Sequence, residues 1–175
     1  MADVPDRLTL ARNRDLEGIT RHPWPRRAIL AAVAAFGILG LANVFGQVPD
    51  TLRASAPAAS LDVYAPNHLR GGLLFSARFH VHARRDLKNA FLILGPGWAE
   101  GMAINTIEPS PLGQASSNGK LTLQLGHIPK GSSYVLYMQF QVNPTNIAWR
   151  RSADVTLADG STPILRIRHH YTIYP

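Results

Sequence analysis

His80 and His82 stand two residues apart, a spacing that on a β-strand puts both imidazoles on one face, within reach of a single metal ion. Copper or zinc would suit such nitrogen donors. His169 and His170 are adjacent, so a strand would send them to opposite faces and leave only one to join. Spacing supplies no third and fourth ligand, and Arg78, Arg84 and Arg85 would repel a cation. Two solvent-facing histidines on polar strand positions are the ordinary alternative. After Val48 the acids are Asp50, Asp62, Asp86, Glu100, Glu108, Asp154 and Asp159, with none paired at short spacing for acid–base work. No G-x-S-x-G or phosphate-loop glycine pattern occurs, and Gly95–Gly101 reads as a turn with Trp98 packing back onto a sheet. No catalytic residue and no cofactor is expected.

A second group of residues points to contact rather than chemistry. Trp149, Arg150 and Arg151 follow the turn signal Asn143-Pro144-Thr145, and Trp and Arg are enriched at interface hot spots. The alternative is a loop whose Trp149 closes one end of the domain.

What must position these residues begins with an apolar segment. Ala28 to Val48 is 21 residues without Asp, Glu, Lys, Arg or His. At about 1.5 Å per residue a helix of that length spans a bilayer core of about 30 Å. Arg14, Arg21, Arg26 and Arg27 precede it and only Arg53 lies close behind, so the positive-inside rule leaves the N-terminus cytoplasmic and exports the rest. Trp24 sits where an interfacial aromatic would. Ala28, Ala32, Ala35, Ala42 and Gly46 would form a small-residue stripe, with Asn43 beside it, on which a second helix could pack. A cleaved export signal is the rival: Arg26-Arg27 resembles a twin-arginine start, and Ala54-Ser55-Ala56 a cleavage triplet. The expected order is a cytoplasmic tail (1–27), a transmembrane helix (28–48), a linker (49–60) and an exported domain (61–175).

The chain has no Cys, which excludes disulfides, thiolate metal sites and a cysteine nucleophile. Its net charge of +7 comes without a basic block longer than two residues in the exported part. With no aromatic-basic interleaving, nucleic acid is not an expected partner.

After residue 60 the hydrophobic period becomes two. Leu73, Phe75, Ala77, Phe79, Val81 and Ala83 alternate with Leu74, Ser76, Arg78, His80 and His82. Tyr134, Leu136, Met138, Phe140 and Val142 do the same against Val135, Tyr137, Gln139 and Gln141. Weaker strands fit 61–64, 89–94, 102–108, 120–125, 153–157 and 164–174, separated by Gly, Pro and Asn turns. This patterning predicts a mainly β, antiparallel, immunoglobulin-like sandwich preceded by one transmembrane helix. Leu125, Gly126, Ile128, Gly131 and Ser132, followed by the strand Tyr134–Val142, resemble a strand–turn–strand of bacterial surface domains of the immunoglobulin-like, cell-adhesion-related class. The resemblance implies a fold and carries no activity, because such sandwiches host many roles. The overall organisation is similar to bacterial single-pass membrane proteins with one such exported domain.

Two functions are compatible with these residues. One is a non-enzymatic interaction subunit of the cell membrane, its helix docked on another integral membrane protein or on a second copy, and its domain contacting an outer face. The other is an exported small-ligand or metal-binding module using His80 and His82.

Overall fold

Alternation of buried and exposed residues dictates the strands, and the strands build most of the chain. The computed structural model describes residues 23–44 and 46–175. The expected tail lies outside the described residues up to residue 22. The chain divides into two units, Met1–Phe45 and Gly46–Pro175.

In the first unit, helix α1 runs Pro23–Leu41. Pro23 and Pro25 fall in its first turn, where a missing backbone donor costs nothing. Trp24–Leu41 is long and apolar enough to cross a membrane, a test that a signal sequence also passes. The helix begins and ends earlier than the expected 28–48. Its stop is chemical: Asn43 adopts a left-handed φ of 55°. The Asn43 N–H then bonds the Gly40 carbonyl at 3.0 Å and the Val44 N–H that of Leu39 at 3.1 Å, a Schellman cap. Ala42, Asn43 and Gly46 therefore lie beyond the helix, and the expected stripe shortens to Ala28, Ala32 and Ala35.

The second unit contains thirteen strands in three sheets. The expected linker is also corrected. Strand β1 (Pro49–Ser55) pairs along its whole length with β2 (Ala59–Pro66), and the supposed cleavage triplet ends this hairpin. Strands β3 (His68–Arg70), β4 (Leu74–Ala83), β5 (Leu87–Leu94) and β6 (Met102–Glu108) follow. Then come β7 (Gly113–Ser117), β8 (Lys120–Ile128), β9 (Ser133–Val142), β10 (Ala148–Ser152), β11 (Val155–Asp159), β12 (Thr162–Ile167) and β13 (His170–Tyr174).

Two antiparallel five-stranded sheets, ordered β1-β2-β4-β9-β6 and β12-β11-β5-β8-β7, make a sandwich. A small sheet β10-β13-β3 adds one parallel pair, β13 with β3. The two expected alternations hold: Phe75, Ala77, Phe79, Val81 and Ala83 are buried on β4, and Leu136, Met138, Phe140 and Val142 on β9. Leu73, taken as part of the inward set, lies before β4 and is exposed. Inward residues of the second sheet, among them Leu92, Leu94, Leu123, Val155 and Leu157, complete one continuous core. Gly131 makes the turn from β8 to β9 with φ +80°, a backbone state that favours glycine.

Candidate interaction surface

Strand β10 is an edge strand, joined to β13 with a bulge between Ala148 and Arg151. Arg150, in the bulge, has φ 49°. The distortion leaves Trp149 77% exposed, with Ile147 at 63% beside it. Trp149 thus does not close the sandwich; that place is taken by Trp98, which is fully buried. Arg150 is exposed, and Arg151 is held in place, donating to the Glu100 carbonyl at 2.7 Å with the Glu100 carboxylate 4.0 Å away. Tryptophan and arginine so displayed offer a contact surface without the flat, unpaired edge that invites strand addition.

Arg151 also lines a cleft of about 370 Å³ at the turn after β5, where Gly95, Gly97, Asp154 and Arg166 meet. Arg166 bonds the Asp154 carboxylate, and Ser152 donates to it at 3.1 Å. Burial pushes the Asp154 carboxyl upward, but Arg166 and Ser152 outweigh it and leave the group below its ordinary value. An acid held ionised by arginine is a poor proton shuttle. The cleft therefore offers charge recognition, with Asp154 held by Arg166.

His80 and His82 occupy the outer face of β4, as the spacing required, and the ring of His82 shares a 3.0 Å hydrogen bond with the Ser133 hydroxyl. Among the described residues no three His, Asp or Glu side chains gather to hold a metal ion. His169 and His170 do part ways: His170 is exposed and His169 is buried. Burial lowers the His169 pKa to about 4, against a hydrogen bond to the Pro66 carbonyl that raises it. Its ring stacks on Trp98 and meets Tyr171 edge-on at 4.5 Å. Neither the His169 Nε2 nor the Tyr171 hydroxyl has a hydrogen-bond partner. Sequence reading missed this cluster, because an adjacent His-His pair does not say which ring turns inward.

No family model matches this chain, and no curated protein is similar to it. Among solved structures, AvmM, described as catalysing macrocyclization in alchivemycin A biosynthesis, superposes at TM-score 0.50 and 6% identity over 73% of this chain and 97% of its own. A non-cellulosomal cohesin from the archaeon Archaeoglobus fulgidus superposes at TM-score 0.39 and 13% identity over 61% of this chain and 85% of its own. The likeness to AvmM is one of fold alone, and the likeness to the cohesin is too distant to bear on function.

Proposed function

We propose that the chain is a non-enzymatic, membrane-anchored interaction subunit, with its N-terminus cytoplasmic and its sandwich outside the cell membrane. The observation that carries this reading is Trp149: a large apolar side chain, 77% exposed, on an edge strand, next to two arginines. The apolar helix supports attachment to the bilayer, and Ala28, Ala32 and Ala35 leave one of its faces small enough for a second span to approach. The partner is another integral membrane protein or a second copy of the chain, with the sandwich laid against its outer face.

Co-purification from membranes in mild detergent tests the proposal. Trp149→Ala should lose the partner, because truncating a hot-spot residue costs about 2 kcal/mol or more, roughly thirtyfold in affinity. Ala35→Leu should weaken the same association through the helix, while Leu41→Ile at the helix end should not. If Trp149→Ala keeps the partners and yield of the parent, the contact surface is elsewhere and the proposal fails.

A further inference from the structure

The outer face of the first sheet carries a groove that crosses all five of its strands. Two hollows meet at Ser76 and Gln139, which face each other in register on β4 and β9. One, of about 340 Å³, extends over β2 to Gln47 and Pro49. The other, of about 210 Å³, extends to Thr106 and Glu108 on β6.

Sheet register fixes one wall. Tyr64, Arg78, Tyr137 and Glu108 stand side by side on β2, β4, β9 and β6. Arg78 lies over the Tyr64 ring, 5.1 Å from its centroid. Tyr64 and Tyr137 are exposed and two strand spacings apart, about 9–10 Å. Cross-strand pairing alone would account for such a row on a sheet surface. It does not account for the hollow beside the row, or for the Gln47 amide nitrogen at one end, which is buried without a hydrogen-bond partner. An orphaned donor in a groove is satisfied when an acceptor enters it.

We propose that this groove binds a neutral polysaccharide chain. A pyranose ring presents an apolar C–H face and a rim of hydroxyl groups that both donate and accept. Tyr137 can stack on such a face, and Tyr64, about one disaccharide away with Arg78 over one side of its ring, can take a second. Gln47, Ser76, Thr106 and Gln139 supply the amide and hydroxyl partners around the rim. Glu108 is the one charge in the lining of the two hollows and Arg78 stands two strands away in the same row, so the groove carries little net charge to hold an acidic or basic polymer. A peptide adding as a strand would follow a sheet edge, whereas the groove runs across the strands. This surface is separate from the Trp149 patch, and the inference does not rest on the interaction-subunit reading.

Isothermal titration of the full-length chain in a detergent without a sugar headgroup tests it, using cellohexaose, maltohexaose, laminarihexaose and chitohexaose one at a time. At least one should bind, more tightly than its own disaccharide. Tyr64→Ala and Tyr137→Ala should each weaken that binding by about tenfold. Gln139→Ala, which removes no aromatic packing, should weaken it too, and Trp149→Ala should leave it unchanged. No heat from any of the four at millimolar concentration would overturn the proposal. So would binding indifferent to both tyrosines, or a groove occupied by a co-purified protein that the tyrosine variants release.

Discussion

Trp98 donates its indole N–H to the backbone carbonyl of Ala153 at 2.7 Å, tying the turn after β5 to the segment that enters β11. The same ring touches Phe79, Phe140, His169 and Tyr171 at centroid distances of 5.1–5.8 Å. One side chain thus joins residues of the first large sheet and of the small one to the segment that enters the second.

Trp98→Phe keeps most of the packing and removes the donor, leaving a buried carbonyl unpaired. That should cost about 1–3 kcal/mol in denaturant titration. Trp98→Ala also opens a cavity and should cost about 3–5 kcal/mol, much of a typical 5–15 kcal/mol stability. A midpoint unchanged in Trp98→Phe would show that the hydrogen bond contributes nothing.

Gly97 is held closer still to the neighbouring chain. A Cβ at this position would fall 2.2 Å from the Ser152 carbonyl oxygen, which belongs to backbone and has no flexible end to swing away. Gly97→Ala should therefore destabilise the domain at least as much as Trp98→Phe. Gly131→Ala, where no atom lies within 4 Å, carries only the strain of its positive φ, about 1 kcal/mol. Melting curves of the two variants should fall in that order.

Acid should weaken the fold through His169. Its folded pKa, about 4, lies below the ordinary 6.5, so the unfolded chain takes up the proton first. The stabilisation is complete above pH 6.5, declines as pH falls toward 4, and changes no further below that. The full difference is about 3 kcal/mol, on the order of 10 °C in Tm. Asp50 and Asp154 oppose the depression and His170 adds to it, so their variants should move the window. His169→Asn should flatten the profile between pH 6.5 and 4. A parent equally stable at pH 7 and pH 4.5 would remove His169 from the account.

If α1 is an anchor, mass measurement of the membrane-extracted chain should find it uncut. The Ala54-Ser55-Ala56 triplet is the weakest place to expect a cut in the folded chain, because Leu52 and Ala54 of β1 pack against the core. An exported, soluble chain beginning at or after Ala42 would show that the helix is a signal.

How far the fold was legible depended on which residues face the core. On β4 and β9 every second side chain is buried, so the period of two is plain from Phe75 to Ala83 and from Leu136 to Val142. Strand β1 alternates only weakly: Leu52 and Ala54 are half-buried, its other residues are exposed and mostly small or polar, and its pairing with β2 is what marks it as a strand. Gly113–Ser117 is an edge of the same kind. The helix end was misplaced because hydropathy continues through Ala42 and Val44, while Asn43 stops the helix through backbone geometry. The groove was half visible: alternation put Ser76, Arg78, Tyr137 and Gln139 on the outer face, but which of them align across strands is a matter of register. Only pairing reveals that.

The parallel pair of β3 and β13 joins the beginning of the sandwich to its last strand, with Thr172 opposite His68 and Tyr174 opposite Arg70. Tyr171 and Ile173 of that strand are fully buried, so the core lacks two of its large members until β13 is in place. Contacts so distant in sequence form late and slowly. During synthesis, therefore, an almost complete sandwich waits with Trp98 and Phe75 uncovered, and an apolar opening of this kind is what chaperones and aggregation compete for. Once the last strand docks, the same contact shuts the opening. The order of synthesis makes this domain most vulnerable just before β13 is made.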